Sequence, residues 1–296
     1  MRLNTAAATL LALGTVCVAH AEQSSRGIIG QERSSVEAYF LGSEVYFLSN
    51  DQSNALAVVT ADGVVLLDAM SAGWSSAVLN TLQRVTYMPV TTIINTHAHE
   101  DHVGADPEYP GAVQIVIHEN GSGRLARSTA DKPVTTFSDR MPMTVGNRQL
   151  HLYYFGKGHT DSDVIVVIPD VRAAYVGDLV AEKALPVVDP TSGGSALALP
   201  ETLARAAEEI TGVEHIITGH GRSKSYIQGW PTWNDFREYA EFTREFVDAV
   251  TAAWENGRTA DQAAAELRMP EQYKDYRLDG AQAMIETIFD ELTQSR

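Results

Sequence analysis

The feature that most constrains this chain is a cluster of metal-binding side chains directly after a short β-branched segment. The heptapeptide Thr-His-Ala-His-Glu-Asp-His follows residues 90–95, whose apolar, β-branched composition is typical of a buried strand. His97 and His99 are two positions apart, so on extended backbone their side chains point the same way and can share one metal ion. Asp101 and His102 come after the chain has turned and can bind a second ion nearby.

Three further candidate ligands occur later in the chain. Each directly follows an apolar segment that is typical of a strand: His159, Asp178 and His220. Side chains that follow several strands can converge at one edge of a sheet, and loops at such edges commonly carry ligands. Imidazole and carboxylate ligands without a thiolate favour zinc, with manganese or iron as alternatives. The sequence therefore predicts two divalent metal ions as cofactors.

Apolar runs and turn residues predict the order of the secondary-structure elements. Strands are expected at residues 36–48 with a break at Gly42, 55–60, 64–68, 90–95, 113–117, 150–155, 164–168, 174–177 and 215–218. Helices are expected at residues 75–87, 201–210, 232–254, 261–267 and 281–292. The first three segments are typical of consecutive antiparallel strands. The pattern favours an α+β body over residues 22–225, followed by a helical C-terminal extension over residues 226–296.

The N-terminal segment has the features of a secretory signal peptide. Arg2 provides a positive start, a mostly apolar or small stretch follows, and Ala19-His20-Ala21 fits a cleavage site. We therefore expect residues 1–21 to be removed and the mature protein to be secreted or periplasmic, without a stable membrane anchor. The alternative is a membrane anchor, although the segment is shorter than the roughly 20 apolar residues that span a bilayer. Cleavage would also remove Cys17, the only cysteine.

The charge of the chain argues against a nucleic-acid partner. Lys and Arg number 22 against 38 Asp and Glu, which gives a formal charge of −16. Contacts with phosphate require clustered basic residues. The expected partner is a small-molecule substrate, and the sequence leaves the oligomeric state open.

The ordered set of histidines and aspartates resembles the metallo-β-lactamase superfamily of metallohydrolases. That resemblance rests on the His-x-His-x-Asp-His motif and the later His, Asp and His, and it implies a four-layer αβ/βα sandwich. It assigns metal 1 to His97, His99 and His159, metal 2 to Asp101, His102 and His220, and a bridging position to Asp178. It also gives Asp68 the role of a carboxylate that supports the motif, whereas a simple turn residue at the strand end is the alternative.

The residue at the bridging position separates branches of this superfamily. Antibiotic-hydrolysing members mostly carry Cys or Ser there, whereas Asp178 resembles the hydroxyacylglutathione hydrolase and lactonase branches. The expected function is an exported dinuclear hydrolase that attacks the carbonyl of a small ester, lactone, lactam or thioester with a metal-bridging hydroxide. Asp101 would orient the nucleophile and carry its proton. Two alternatives stay open: a β-lactamase, main or promiscuous, and an iron-dependent oxidoreductase similar to a persulfide dioxygenase.

The substrate pocket is harder to predict than the metal ligands. Its shape should depend on loops at residues 68–76, 120–145 and 180–195. Lys183 in the last loop either attracts a substrate carboxylate or is a solvated surface lysine. The C-terminal helices either cover the site or form a contact between subunits.

Overall fold

The computed structural model describes residues 35–50, 52–125, 129, 131–221 and 229–295. The predicted signal peptide, residues 1–21, lies outside them, and so do residues 222–228 beside the predicted domain boundary. All described residues fall within the compact unit Ser34–Arg296. Among them, no helix is both long and apolar enough to cross a bilayer.

The first sheet contains seven strands in sequential order within the described residues. They are β1 (Glu37–Gly42), β2 (Val45–Ser49), β3 (Asn54–Thr60), β4 (Gly63–Leu67), β5 (Val90–Ile94), β6 (Gln114–His118) and β7 (Val134–Phe137). Strands β1 to β4 pair antiparallel through short turns, as predicted. From β4 to β7 the pairing is parallel, so the carboxyl ends of β4 and β5 lie side by side.

The second sheet has the strand order β12-β11-β10-β9-β8. Its strands are β8 (Arg140–Val145), β9 (Arg148–Tyr154), β10 (Val164–Ile168), β11 (Ala173–Tyr175) and β12 (His215–Ile217). Strands β8 to β11 are antiparallel, whereas β11 and β12 are parallel. Because of this parallel pair, the residues that follow β11 and β12 emerge at the same edge of the sheet.

Alternating side chains of the central strands pack in different layers. Val65 and Leu67 of β4 lie in the apolar core between the two sheets, whereas Val64 and Leu66 pack on the opposite face of the first sheet. Strand β10 divides in the same way: Val164, Val166 and Ile168 face the first sheet, and Ile165 and Val167 face the helices. This period of two in fully apolar strands is what a sheet covered on both faces requires.

The helices cover the outer faces of both sheets. They are α1 (Ser75–Leu82), α2 (Glu100–Val103), α3 (Glu119–Ser122), α4 (Leu199–Glu209), α5 (Trp233–Glu255), α6 (Ala260–Glu266) and α7 (Ala281–Gln294). Helix α1 packs on the first sheet, and α4, α5 and α7 pack on the second. The order helix, sheet, sheet, helix is the predicted four-layer sandwich. The predicted helical C-terminal region is likewise confirmed.

Helix α5 begins as its sequence predicts. The side chain of Thr232 accepts a hydrogen bond from the backbone N–H of Asp235, and the Asp235 carboxylate accepts from the backbone N–H of Thr232. This reciprocal pair satisfies two N–H groups that a helix start leaves without partners. Helix α5 then carries Phe236, Phe242 and Phe246 into the core of the outer layer.

One expectation about the loops is wrong. Residues 120–145, predicted as a pocket-shaping loop, contain all of strands β7 and β8. Both are edge strands, and β8 has Pro142 at its centre, which a sheet tolerates only at an edge. The proline and the alternation of exposed and half-buried positions in β8 conceal the strand in the sequence.

Candidate metal centre

The strand ends bring all the predicted ligands to one edge of the sandwich. The motif follows β5, and His99 immediately precedes the short helix α2, which carries Asp101 and His102. Asp178 follows β11 and His220 follows the parallel strand β12. The chain turn predicted between the two halves of the motif is therefore the start of α2.

The first group consists of three histidines whose ring nitrogens converge. Nε2 of His97 lies 3.1 Å from Nδ1 of His99, and Nε2 of His159 lies 2.9 Å from the same atom. His97 and His159 are buried, and His99 is a quarter exposed. All three ligand atoms lie within 4.8 Å of one another, which is a distance that one metal ion can span.

The second group joins an aspartate and two histidines. Oδ2 of Asp101 lies 3.1 Å from Nε2 of His220 and 3.6 Å from Nε2 of His102, and the two ring nitrogens are 3.4 Å apart. Asp101 and His220 are both partly exposed, whereas His102 is fully buried. This group is therefore the more open side of the centre.

Asp178 lies between the two groups. Its Oδ2 atom is 3.0 Å from Nε2 of His220 and 3.6 Å from Nε2 of His159, and its Oδ1 atom is 3.4 Å from Nε2 of His102. Oδ1 is buried and has no hydrogen-bond partner among the described residues. A Cβ at Gly219 would collide with this oxygen and lie 2.7 Å from Cε1 of His102, so only glycine fits there.

Each histidine of the first group is held by a hydrogen bond on the side of the ring that faces away from the centre. For His97, His159 and His99 the acceptors are Thr96 Oγ1 at 3.0 Å, Val187 O at 2.8 Å and Asp189 Oδ2 at 2.9 Å. With these N–H groups directed outward, the opposite ring nitrogens point at one another. Three lone pairs directed into one space repel unless a cation lies between them.

The second group is supported in the same way. Nδ1 of His102 donates to Asp68 across 2.7 Å, and Nδ1 of His220 donates to the backbone oxygen of Gln52 across 2.6 Å. Outward hydrogen bonds of this kind orient metal-ligating imidazoles and increase their basicity. All five histidines of the motif set therefore direct their other ring nitrogen to the same edge.

Asp68, to which the family resemblance gives a supporting role, is a buried hydrogen-bond acceptor. Its carboxylate accepts from the N–H and Oγ1–H of Thr96, both at 2.8 Å, and from the hydroxyl of Tyr175 at 2.9 Å. It also accepts from His102, and its backbone is left-handed with φ of 58°. The Asp68 carboxylate thus joins the segment after β5 to helix α2, which carries His102.

The electrostatics of the second group favour positive charge. Hydrogen bonds with Asp101 and Asp178 raise the pKa of His220 to about 10. Burial opposes the charged form of His102, but Asp68 and Asp178 outweigh it and raise its pKa well above the usual value. For Asp178 burial acts in the opposite direction, yet His102 and His220 hold its pKa well below the usual range.

His97 and His159 of the first group differ because they stay neutral. Burial lowers the pKa of His97 well below its usual value, and the neighbouring His102 lowers it further despite the opposing effect of Asp178. Burial likewise lowers the pKa of His159. Neutral imidazoles are the form that binds a metal ion. The donor set of five imidazoles and two carboxylates, with an unpartnered buried oxygen on Asp178, fits divalent cations in both groups.

A family model described as the metallo-beta-lactamase superfamily matches residues 48–220. The chain belongs to the metallo-β-lactamase superfamily. The matched span contains every ligand candidate described above. The resemblance predicted from the motif is therefore confirmed.

Two curated relatives illustrate the range of the superfamily. The alpha subunit of 2,4-dinitroanisole O-demethylase from Nocardioides sp. (strain JS1661) is 27% identical over 146 residues, which is 46% of this chain and 44% of the subunit. A type 2 metallo-β-lactamase from Bacteroides fragilis is 22% identical over 175 residues, covering 57% of this chain and 69% of that protein. The chain thus spans less than half the length of the first relative.

Solved structures of similar shape agree on the fold. A metallo-β-lactamase from Pontibacter korlensis has a TM-score of 0.60 at 21% identity, covering 71% of this chain and 99% of its own. The sec-alkylsulfatase Pisa1 from Pseudomonas sp. has a TM-score of 0.71 at 14% identity, covering 86% of this chain and 50% of its own. At these identities the likeness establishes the fold alone.

Sequence reasoning missed most of the groups that orient the histidines. Asp189 belongs to the 180–195 loop, which was predicted only to form a wall of the pocket. The carbonyl oxygens of Gln52 and Val187 belong to the backbone, so no residue type marks them in the sequence. Tyr175 is a residue type that is typical of any strand. Only a residue within three positions of a strand end, such as Asp68 or Asp178, carries a signal in the sequence.

A cavity of about 410 Å³ opens directly beside the centre. Asp178 and His220 line this cavity, together with Val180, Glu182 and Val187 of the following loop. The loop therefore forms a wall of the pocket, as predicted. The structure adds a residue that was not predicted: Arg277, from the segment between α6 and α7, also lines this cavity.

Proposed function

We propose that this protein is an exported, metal-dependent hydrolase that holds two divalent ions, with zinc as the preferred metal. The observation that carries the proposal is the outward hydrogen bonding of all five histidines, which leaves five imidazole nitrogens facing one edge. Cations would remove the repulsion of the converging lone pairs in the first group and would pair with Asp101 and Asp178 in the second. Membership of the metallo-β-lactamase superfamily supports the same function.

His97, His99 and His159 would hold one ion, and Asp101, His102 and His220 the other. Asp178 would bind both, because its two oxygens face histidines of both groups. When bound, such a pair of ions supplies Lewis acidity for a carbonyl oxygen and lowers the pKa of an attacking water. The neutral state of His97 and His159 keeps their ring nitrogens available as ligands.

Asp101 is the residue we assign to proton transfer. Burial would raise its pKa, but the hydrogen bond with His220 and the charges of the histidines lower it, so the carboxylate is ionised at neutral pH. Its side chain is 39% exposed, which leaves it accessible from the substrate side. It can accept a proton from the attacking water and return it to the leaving group.

The substrate we propose is a small ester, lactone, lactam or thioester. The cavity beside Asp178 and His220 has the size of a small-molecule site, and a carbonyl placed over these residues meets Asp101 nearby. A carboxylate at position 178, in place of a thiolate, gives an all nitrogen and oxygen donor set. This set also accepts manganese or iron.

A panel of substrates with a metal control tests this function. The purified mature protein, stripped with a chelator and reloaded with zinc, manganese or iron, is assayed with an aryl ester, an acyl-homoserine lactone, a thioester and a chromogenic cephalosporin. We expect metal-dependent hydrolysis of at least one carbonyl substrate, and loss of turnover in Asp101→Ala even in excess zinc that keeps both sites filled. Turnover of the cephalosporin above all others identifies a β-lactamase.

The oxidoreductase alternative gives a different result in the same experiment. One iron per chain, oxygen uptake with a persulfide and no hydrolysis of any member of the panel would refute the hydrolase. Normal turnover of Asp101→Ala with metal bound would refute the role of Asp101 alone.

We further propose that the protein is exported, on the strength of the N-terminal sequence features. Expression in a bacterial host followed by N-terminal sequencing of the periplasmic fraction is expected to give a chain that begins at Glu22. Recovery of the uncleaved chain in the membrane or cytoplasmic fraction would contradict export.

A further inference from the structure

Arg277 is the only arginine or lysine among the described residues that line the cavity beside the metal centre. It comes from the C-terminal region, whereas the ligands come from the strand ends of the sandwich. Seven of the eleven arginines in the described part of the chain form ion pairs with a carboxylate. Arg277 has no carboxylate within ion-pair distance among the described residues, although Glu182 lines the same cavity.

The backbone at Arg277 is fixed on both sides. Its N–H donates to the carbonyl oxygen of Lys183 across 2.9 Å, and its own carbonyl accepts from the N–H of Leu185 across 3.2 Å. The pairing joins this segment to the loop that leaves Asp178. The next residue inward, Tyr276, is buried with its ring 4.2 Å from that of Phe242. The backbone that carries the Arg277 side chain is therefore held in place by hydrogen bonds and by the packing of its neighbour.

The loop segment that pairs with Arg277 contains a strained residue, Lys183. Lys183 has φ of 42°, a left-handed conformation that non-glycine residues seldom adopt. Such conformations persist where the surrounding structure requires them, and they concentrate at functional sites. Lys183 adopts this conformation at the point where the loop pairs with residue 277. At this pairing it is Arg277, and not Lys183, that lines the cavity with Asp178 and His220.

We propose that Arg277 binds a carboxylate of the substrate, at the far end of the molecule from the carbonyl that is attacked. A guanidinium pairs with a carboxylate through two parallel hydrogen bonds, and a cation without a protein partner is available to do so. Val180 and the largely exposed Val187 provide an apolar surface in the same cavity. The substrate class is therefore an acyl compound with an apolar segment and a terminal carboxylate. This inference rests on the proposed function and specifies its substrate.

Two esters that differ only in charge test the proposal by kinetics. They are the 4-nitrophenyl esters of adipic acid, with a free terminal carboxylate, and of adipamic acid, with a terminal amide. For the zinc-loaded protein we expect kcat/KM to be about tenfold higher for the carboxylate ester, mostly through a lower KM. Arg277→Gln should lose this preference, and Arg277→Lys should retain part of it, because it keeps the charge without the planar fork.

Lys274→Gln is the matched control. It removes the same charge three residues away, from an exposed side chain that lies 3.7 Å from Glu271 and does not line the cavity. It should keep the full preference for the carboxylate ester. An unchanged preference in Arg277→Gln, or an equal loss in Lys274→Gln, would overturn the proposal.

A binding measurement separates this inference from the proposed function. Calorimetry compares adipamate with the neutral adipamide on the zinc-loaded protein, without any turnover. We expect adipamate to bind about tenfold more weakly to Arg277→Gln than to the wild type, with adipamide unchanged. If the esters are not hydrolysed but this difference is found, the carboxylate site stands and the hydrolase proposal fails. Equal adipamate affinity in both proteins would overturn the carboxylate site.

Discussion

Asp189 accepts a hydrogen bond from Nε2 of His99 across 2.9 Å, and this contact turns Nδ1 of the same ring toward His97 and His159. The other oxygen of Asp189 accepts from the N–H and the hydroxyl of Thr191 at 2.9 and 2.6 Å. The carboxylate is thus held on one side by its own loop and holds the motif on the other. The pocket loop and the metal centre are a single hydrogen-bonded unit.

Replacing Asp189 with Asn should weaken metal binding by the first group. An amide nitrogen that faces His99 is a donor, so Nε2 must become the acceptor and the ring proton moves to Nδ1, the ligand atom. Loss of such a supporting contact typically lowers metal affinity 10–100-fold. We expect about tenfold, since both side chains are about a quarter exposed. Competition with a fluorescent zinc chelator measures the affinity.

Thr191→Val provides the control for that variant. It removes one hydrogen bond to the opposite oxygen of Asp189 and leaves the contact with His99 in place. Zinc affinity close to that of the wild type is expected. If both variants lose affinity equally, the loop conformation, rather than the ring orientation, accounts for the effect.

Replacing Asp68 with Asn should weaken the second group. Asn tolerates the left-handed backbone at this position, so the loop conformation survives. The amide cannot accept from Thr96, Tyr175 and His102 together, and one of its own N–H groups meets another donor. We expect a 10–100-fold loss of zinc affinity at one of the two sites. Tyr175→Phe removes one of the donors and should have a smaller effect. If the variant binds zinc with the same two-step titration curve as the wild type, Asp68 does not support the second group.

Glu291 of α7 should stabilise the end of the pocket loop. Its carboxylate accepts from the hydroxyl of Ser195 at 2.5 Å and from the N–H of Ala196 at 2.6 Å, just before α4 begins. Glu291→Gln loses one acceptor, which should lower the free energy of unfolding by about 2 kcal/mol. Glu286→Gln, on the exposed side of the same helix, should change it by less than about 0.5 kcal/mol. Equal stability of the two variants in urea would refute the contribution of this contact.

The stability of the protein should fall with rising pH because of Asp106. This residue is fully buried, with one oxygen 2.7 Å from Nδ2 of Asn95, and burial raises its pKa to about 8. The folded state therefore binds the proton more tightly than the unfolded chain does. The stabilisation is complete below about pH 4 and is lost as the pH rises through about 8.

Asp106→Asn isolates this effect, since the amide does not titrate. Relative to the variant, the wild type should lose about 1.4 kcal/mol per pH unit at most over this range. Urea denaturation of both proteins at pH 5, 6.5 and 8 measures the difference. A difference that does not change between pH 5 and pH 8 would show that Asp106 is ionised in the folded protein.

The place of the candidate ligands could be predicted from the sequence because the segment that carries each of them follows a strand. The apolar runs before His97, Asp178 and His220 define strand ends, and strand ends that share an edge bring ligands together. The fold class could be predicted for a related reason, because fully apolar strands such as β10 require cover on both faces.

The groups around the ligands could not be predicted, because they depend on contacts between distant segments. Asp189 is 90 residues from His99, and the Gln52 carbonyl is 168 residues from His220. Arg277 reaches the cavity only through its pairing with the loop at residues 183–185. Strand β8 was missed because Pro142 is acceptable only at an edge, and edge position is a property of the assembled sheet.

The metal content of the purified protein tests the central claim most directly. After chelation, reloading with excess zinc and removal of free metal, mass spectrometry of the elements gives the number of ions per chain. We predict two zinc ions per chain in the wild type and one in His220→Ala, which loses a ligand of the second group but none of the first. One ion or none in the wild type, or an equal content in both proteins, would contradict a centre built from two groups.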